Sequence, residues 1–240
     1  MLHLIRCWKF GLAAMALFLL AGDAVAAEKT KVLLVGGRGH DWRGFHAVFS
    51  EVLEKTGDFK VTLTEQLDDL KTPTIQKFDL VLFYGSGGNF ADEAQEQGLD
   101  KFIKGGGGLA GVHATDAFKK SDVYWRMFGG RFIGHGGGKF MMRIDDKKHP
   151  ICKTLDDFEI QDETYRNKFH PDFKLQNLGH MDRGDEQQSM IWVQQYEKGR
   201  IFNTTLGHGK EAWENPAFQK LVVRGLYWAV GQEPKDPVSN

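Results

Sequence analysis

The sequence predicts an α/β fold, a mostly parallel sheet with helices on both faces. Three observations carry this. Short continuous apolar runs, KVLLVG at 31–36 and DLVLFY at 79–84, have the all-round hydrophobicity of strands covered on both faces. Amphipathic helical patterns fall between such runs, and the resulting order of strand, helix, strand, strand, helix, strand calls for parallel crossovers. The runs end in glycine-rich loops, and glycine supplies 29 of the 240 residues where ~7% is average.

The first strand, 31–36, runs into the loop Gly37-Arg38-Gly39-His40-Asp41-Trp42. Phe45, Val48, Phe49, Val52 and Leu53 then recur at helical spacing, and Gly57 is placed to end that helix. Residues 59–63 (FKVTL) alternate as a half-exposed strand does. The run 79–84 stops at Gly85-Ser86-Gly87-Gly88. A helix is predicted over 92–104, with Leu99, Phe102 and Ile103 inward. Four glycines, 105–108, lead into a short strand, 109–112, that ends at His113. Ligands bind such sheets beyond the carboxyl ends of the strands, so the loops at His40, Gly85 and His113 are expected to share one rim.

The second half shows three strand patterns, 139–145, 189–196 and 200–206, the last leading into Gly207-His208-Gly209. Asn215 as N-cap, Pro216 at the first helical position and Gly231 beyond the end mark a closing helix. Its inner stripe is Phe218, Leu221, Val222, Gly225 and Ala229.

The length suits one domain with a full core. Residues 1–26 read as a signal peptide. Arg6 and Lys9 make a basic start, and Ala24-Val25-Ala26 supplies a small-residue cleavage site. The apolar stretch between them, 10–21, is shorter than the roughly 20 residues a membrane span needs. Residues 27–240 are then a single exported domain, periplasmic or extracellular, without stable membrane insertion after processing. The formal net charge is −1, and losing Arg6, Lys9 and Asp23 leaves −2. Such a chain offers nucleic acid no basic surface. Cys7 lies in the signal segment and leaves Cys152 alone, so no internal disulfide is expected.

Several familiar sites are missing. The loop at 36–42 lacks the third glycine of a dinucleotide fingerprint, and no phosphate-cradling loop or H-E-x-x-H occurs. Ser86 is flanked by glycines but sits in no G-x-S-x-G elbow, and no glycine elbow surrounds Cys152. Histidine is the informative residue. Of nine, four directly follow glycine: His40, His135, His180 and His208. His40, His113 and His208 stand at predicted carboxyl ends of strands, where glycine gives the backbone freedom to present an imidazole. His46 is read as structural, and His149 and His170, each before a proline, as turn formers. Asp162 and Glu163 form a carboxylate pair beside Phe158 and Tyr165, able to join imidazoles in acid–base or ligand roles. Trp42, Trp125, Tyr165, Trp192 and Trp213 are candidate stacking faces for sugar rings, with Trp192 and Trp228 better placed for the core.

Five segments carry a family resemblance: GGLAGVHATD at 107–116, FGGRFIGH at 128–135, HPI at 149–151 with DETY at 162–165, GRIFNTTLGH at 199–208, and GLYWA at 225–229. In this order they resemble the trehalose-utilisation (ThuA-like) family over nearly all of residues 27–240. The resemblance implies the class I glutamine amidotransferase-like fold, a flavodoxin-like sheet with helices on both faces. It places His113 where amidotransferases carry the elbow cysteine and His208 where they carry the triad histidine. Without a thiol there, the thioester route to amide hydrolysis is closed, so a glutaminase is not expected.

The resemblance further implies a small carbohydrate substrate in a histidine-rich, sugar-sized pocket. The family's link with sugar dehydrogenases suggests a lyase or hydrolase working on glycosides or 3-keto sugars. His113, His135, His208, Asp162 and Glu163 are the candidate catalytic residues. His40, Trp42, Asp116, Tyr165 and Trp213 are the candidate substrate contacts. His113, His135 and His208 are also candidate ligands for a divalent metal such as zinc. Which group is acid, base or ligand stays open, and a non-catalytic carbohydrate-binding protein is the alternative.

Overall fold

A computed structural model describes residues 28–238 apart from 86, 87, 114, 116, 117 and 119. The expected signal peptide, Ser86 and Asp116 therefore lie outside the described residues. Among the described residues no helix is long and apolar enough to cross a membrane.

The first half follows the sequence pattern closely: β1 (Thr30–Val35), α1 (Trp42–Thr56), β2 (Phe59–Thr64), β3 (Leu80–Tyr84), α2 (Glu93–Lys104) and β4 (Gly108–Val112). Their ends have the expected local causes. The Asp41 side chain accepts the Gly44 N–H at the start of α1, and Gly57 ends it with a left-handed φ of 77°. The second half adds α3 (Asp122–Phe128), β5 (Gly130–Ile144), β6 (Phe158–Phe169), β7 (Gln176–Arg183), β8 (Glu186–Tyr196), β9 (Gly199–Thr204), α4 (Lys210–Trp213) and α5 (Pro216–Ala229). Asn215 caps α5 as expected, accepting the N–H groups of Ala217 and Phe218.

All described strands join one nine-stranded sheet in the order β2-β1-β3-β4-β9-β8-β7-β5-β6. The first five of that order run parallel, and the remaining four add antiparallel pairings. Both faces of the parallel block are covered. Val32 and Leu34 of β1 enter a core with Phe45 and Phe49 of α1 and Leu221 and Val222 of α5. Leu33 and Val35 point the other way, to Leu99 and Ile103 of α2 and Met127 and Phe128 of α3. This alternation explains why a strand buried on both faces reads as a continuous apolar run.

The second half departs from the sequence reading. The strand expected at 139–145 extends back to Gly130, and β6, β7 and α3 carried no clear signal. β5 bonds to β7 only through Met142–Ile144, while it pairs with β6 along most of its length. The β5–β6 ribbon thus leaves the sheet, with a bulge between Phe132 and Gly134. Ribbon residues Asp162 and Tyr165 reach the loops after β9 and β4, so the ribbon lies over the strand-end rim.

Candidate functional site

His113 opens the loop after β4 with a φ of 55°, a left-handed conformation rare for a residue bearing Cβ. Such turns cost of order 1–3 kcal/mol and cluster where a side chain must be presented. The ring is fully buried. Its Nδ1 lies 2.9 Å from the Thr205 carbonyl oxygen. A carbonyl only accepts, so Nδ1 carries the proton and Nε2 turns its lone pair to the rim. Burial holds this imidazole well below its ordinary pKa, and the neighbouring histidines push the same way.

Nε2 of His113 faces three groups. The Tyr165 hydroxyl and His208 Nδ1 each lie at 3.2 Å, and Glu163 Oε2 at 3.6 Å. Glu163 also stands 3.3 Å from His208 Nδ1 and, through Oε1, 3.5 Å from His135 Nδ1. His40 closes the cluster edge-on, its ring centroid 4.5 Å from that of His113 and 5.1 Å from that of His208. Burial, then the charge of His208, lowers the His40 pKa. His135 and His208 remain about half exposed, at 45% and 46%, and give the cluster its open side.

Asp162 plays a different part from its neighbour. Its carboxylate is buried and accepts the backbone N–H groups of Gly207 (2.6 Å), Glu163 (2.8 Å) and His208 (3.0 Å). Burial pushes its pKa up to about 6, against the pull of those three donors. The Gly207 carbonyl is held as well, by the Tyr84 hydroxyl at 2.9 Å and Trp213 Nε1 at 2.7 Å. Gly207 itself has a φ of 113°, and a Cβ there would come within 2.9 Å of the Phe218 ring and 3.0 Å of Val112. Asp162, Tyr84 and Trp213 therefore fix the turn that aims His208.

Of the residues read from sequence, His40, His113, His135, His208, Asp162, Glu163 and Tyr165 meet at this rim. Several enter in roles unlike those expected. Asp162 and Glu163 lie on β6, and Asp162 faces backbone rather than solvent. Trp213 is buried against Tyr84 and Phe45, and Trp42 packs over Gly36 beneath the Arg43 guanidinium. Neither offers an open face to a sugar, because each fills space between α1 or α4 and the sheet. Tyr165 is buried too and presents its hydroxyl, not its ring face. Trp192 is buried and donates to the Phe128 carbonyl, and Trp125 is covered by Arg131.

Among the described residues, three histidines, His40, His113 and His208, have donor atoms that all lie within 4.8 Å of one another, and His135 is outside that group. The cavity behind His113, among Thr115, Tyr165, Asn167 and Asn203, holds about 10 Å³, room for one water. A larger ligand would lie on the open side, beside His135 and His208. Sequence reading missed Tyr84 and the Thr205 carbonyl. Tyr84 closes an apolar strand with a polar tip, a signal that was present; a backbone carbonyl leaves none.

Comparison with known proteins agrees with this architecture. A family model described as ThuA, trehalose utilisation, matches residues 31–229. No curated protein matches the chain in sequence. A ThuA-like protein from Parabacteroides merdae is 22% identical, with 89% of this chain and 94% of that chain covered and a TM-score of 0.77. A ThuA-like protein from Bacteroides uniformis is 17% identical, over 90% of this chain and 98% of that one, with a TM-score of 0.71. A cytoplasmic protein from Salmonella typhimurium is 12% identical, over 83% and 98%, with a TM-score of 0.62. These likenesses carry the glutamine amidotransferase-like fold. The chain belongs to the ThuA family of trehalose utilisation, a family tied to carbohydrate use.

Proposed function

We propose that this protein is an enzyme acting on a small carbohydrate, a glycoside or 3-keto sugar, by proton transfer at the His–Glu cluster. The observation that carries this reading is Glu163. Its two oxygens lie 3.3 Å from His208 and 3.5 Å from His135, and it is 19% exposed. It is thus reachable by a solute while ordered among imidazoles. Cys152, the other group with nucleophilic chemistry, is buried in the core and its thiol is pushed up to about 12, which disfavours thiol catalysis.

The chemistry follows from a keto group next to an acidic C–H. In a 3-keto glycoside the carbonyl acidifies the C2 hydrogen. Glu163 accepts that proton as base. The C1–O bond breaks with its electron pair leaving on the glycosidic oxygen, which takes a proton from protonated His135. The products are the free alcohol and a 3-keto sugar with a C1=C2 double bond. Water adding across that bond yields the saturated 3-keto sugar, so the net change is hydrolysis. His113 and Tyr165, buried behind this face, would hold His208 and Glu163 in place. We propose also that the chain is exported, on the basic, apolar and small-residue order of residues 1–26. N-terminal sequencing of the secreted protein should begin at Ala27.

The test is turnover of a 3-keto glycoside by purified protein. Wild type should release the alcohol, and Glu163→Gln should lower kcat about 10²-fold or more, the usual scale for removing a general base. Binding of the keto sugar without any turnover would instead assign the protein to non-catalytic carbohydrate binding.

A further inference from the structure

We propose that His40, His113 and His208 hold a zinc-class divalent metal ion, with Glu163 at the fourth corner. A tetrahedral zinc site with Zn–N of ~2.0–2.1 Å has donor-to-donor edges of roughly 3.3 Å. His113 Nε2 and His208 Nδ1 are 3.2 Å apart. Glu163 Oε2 completes a triangle at 3.3 Å from His208 Nδ1 and 3.6 Å from His113 Nε2. The donor atom of His40 lies within 4.8 Å of those of both other histidines, so a small ring movement closes the set.

The hydrogen bonds around the cluster point the same way. The bond from His113 Nδ1 to the Thr205 carbonyl fixes the tautomer that leaves Nε2 free to ligate. Such a carbonyl behind the ring is the usual outer-shell support of a ligating histidine. His208 is aimed by a turn clamped at both its N–H and its carbonyl. All three histidines stand in loops after parallel strands, β1, β4 and β9, so one rigid block presents them. His135 stands on β5 of the ribbon, faces the other carboxylate oxygen of Glu163, Oε1, and is outside this set. Three imidazoles and one carboxylate suit zinc and its first-row neighbours better than magnesium or calcium.

Use of the ion in catalysis rests on the proposed function: Glu163 would leave the ion to act as base, and the corner it vacates would take a sugar keto or hydroxyl oxygen. Its binding does not, and is measured without any sugar. Chelator-treated, untagged protein is titrated with zinc chloride by calorimetry and with cobalt chloride by visible absorption. One equivalent should bind, and cobalt should give the intense bands of a low-coordinate site. His40→Ala and His208→Ala, at partly exposed positions that spare the core, should each weaken binding by more than the 10–100-fold typical of outer-shell changes. His135→Ala should leave the stoichiometry at one. No saturable zinc binding, or equal binding by wild type and the His40→Ala/His208→Ala double variant with circular dichroism unchanged, overturns the site. Stoichiometric zinc without turnover keeps the site and rejects the proposed reaction. Full turnover by protein that binds no zinc does the reverse.

Discussion

The parallel block and the β5–β6 ribbon bring unlike chemistry to one rim. The parallel strands end in imidazoles, His40, His113 and His208, each at the carboxyl end of a strand whose neighbours on both sides hold it in register. The ribbon brings His135, Glu163 and Tyr165, together with the buried Asp162. It joins the main sheet through only three pairs with β7. The difference teaches that histidine positions follow from the fold's most rigid part, whereas the placing of Glu163 depends on how firmly the ribbon is pinned. Asp162 is that pin, since its carboxylate bonds the turn after β9.

If the ribbon supplies the base, its loss should show most in rate. Glu163→Gln should cut kcat on a 3-keto glycoside about 10²-fold or more with the melting temperature little changed. An unchanged kcat would remove Glu163 as the base. The pin itself is tested by stability. Asp162→Ala leaves three N–H groups, one of them buried and two part-buried, without their acceptor, and we expect a loss of about 3 kcal/mol in urea unfolding. A loss under about 1 kcal/mol would show that the ribbon is held in some other way.

A milder break comes from the other side of the same contact. Gly207→Ala places a Cβ against Phe218 and Val112 at a φ of 113° and should cost about 1–3 kcal/mol. Tyr165→Phe removes only the hydroxyl facing His113 and should change stability by about 1 kcal/mol, with KM little changed because the hydroxyl is buried. The smallest change is expected far from the rim. Native Cys152 should resist alkylation near pH 8, because burial raises its thiol to about 12, and should react once the chain is unfolded. Rapid labelling of the folded protein would contradict that burial.

The same contrast explains what could be read in advance. In the parallel block each strand is buried on both faces, so KVLLVG and DLVLFY stand out as unbroken apolar runs, and Asp41, Gly57 and Asn215 mark helix ends by their own side-chain or backbone chemistry. In β5 the glycines at 134 and 136–138 interrupt any alternation, and Ile133, at the bulge, is 59% exposed. β6 carries an alternating start, FEIQD, but nothing in the sequence marks its partner, so the pattern does not say which of Asp162 and Glu163 faces the rim. Trp42 and Trp213 misled for a related reason. An aromatic ring near a strand end has the same sequence signature whether it meets a sugar or fills the space beside a helix, and only burial separates the two.

By itself the sequence determined the parallel block, the family, and the three histidines at strand ends. Strand burial, helix capping and glycine at loop starts are local, and local chemistry is written in neighbouring residues. Only the tertiary structure decided which carboxylate is reachable, which is a structural clamp, and that His40 packs edge-on against His113 and His208. Those outcomes depend on the ribbon folding back over the rim, a contact between residues more than forty positions apart, where the energy lies in burial and hydrogen bonds that no short stretch of sequence contains.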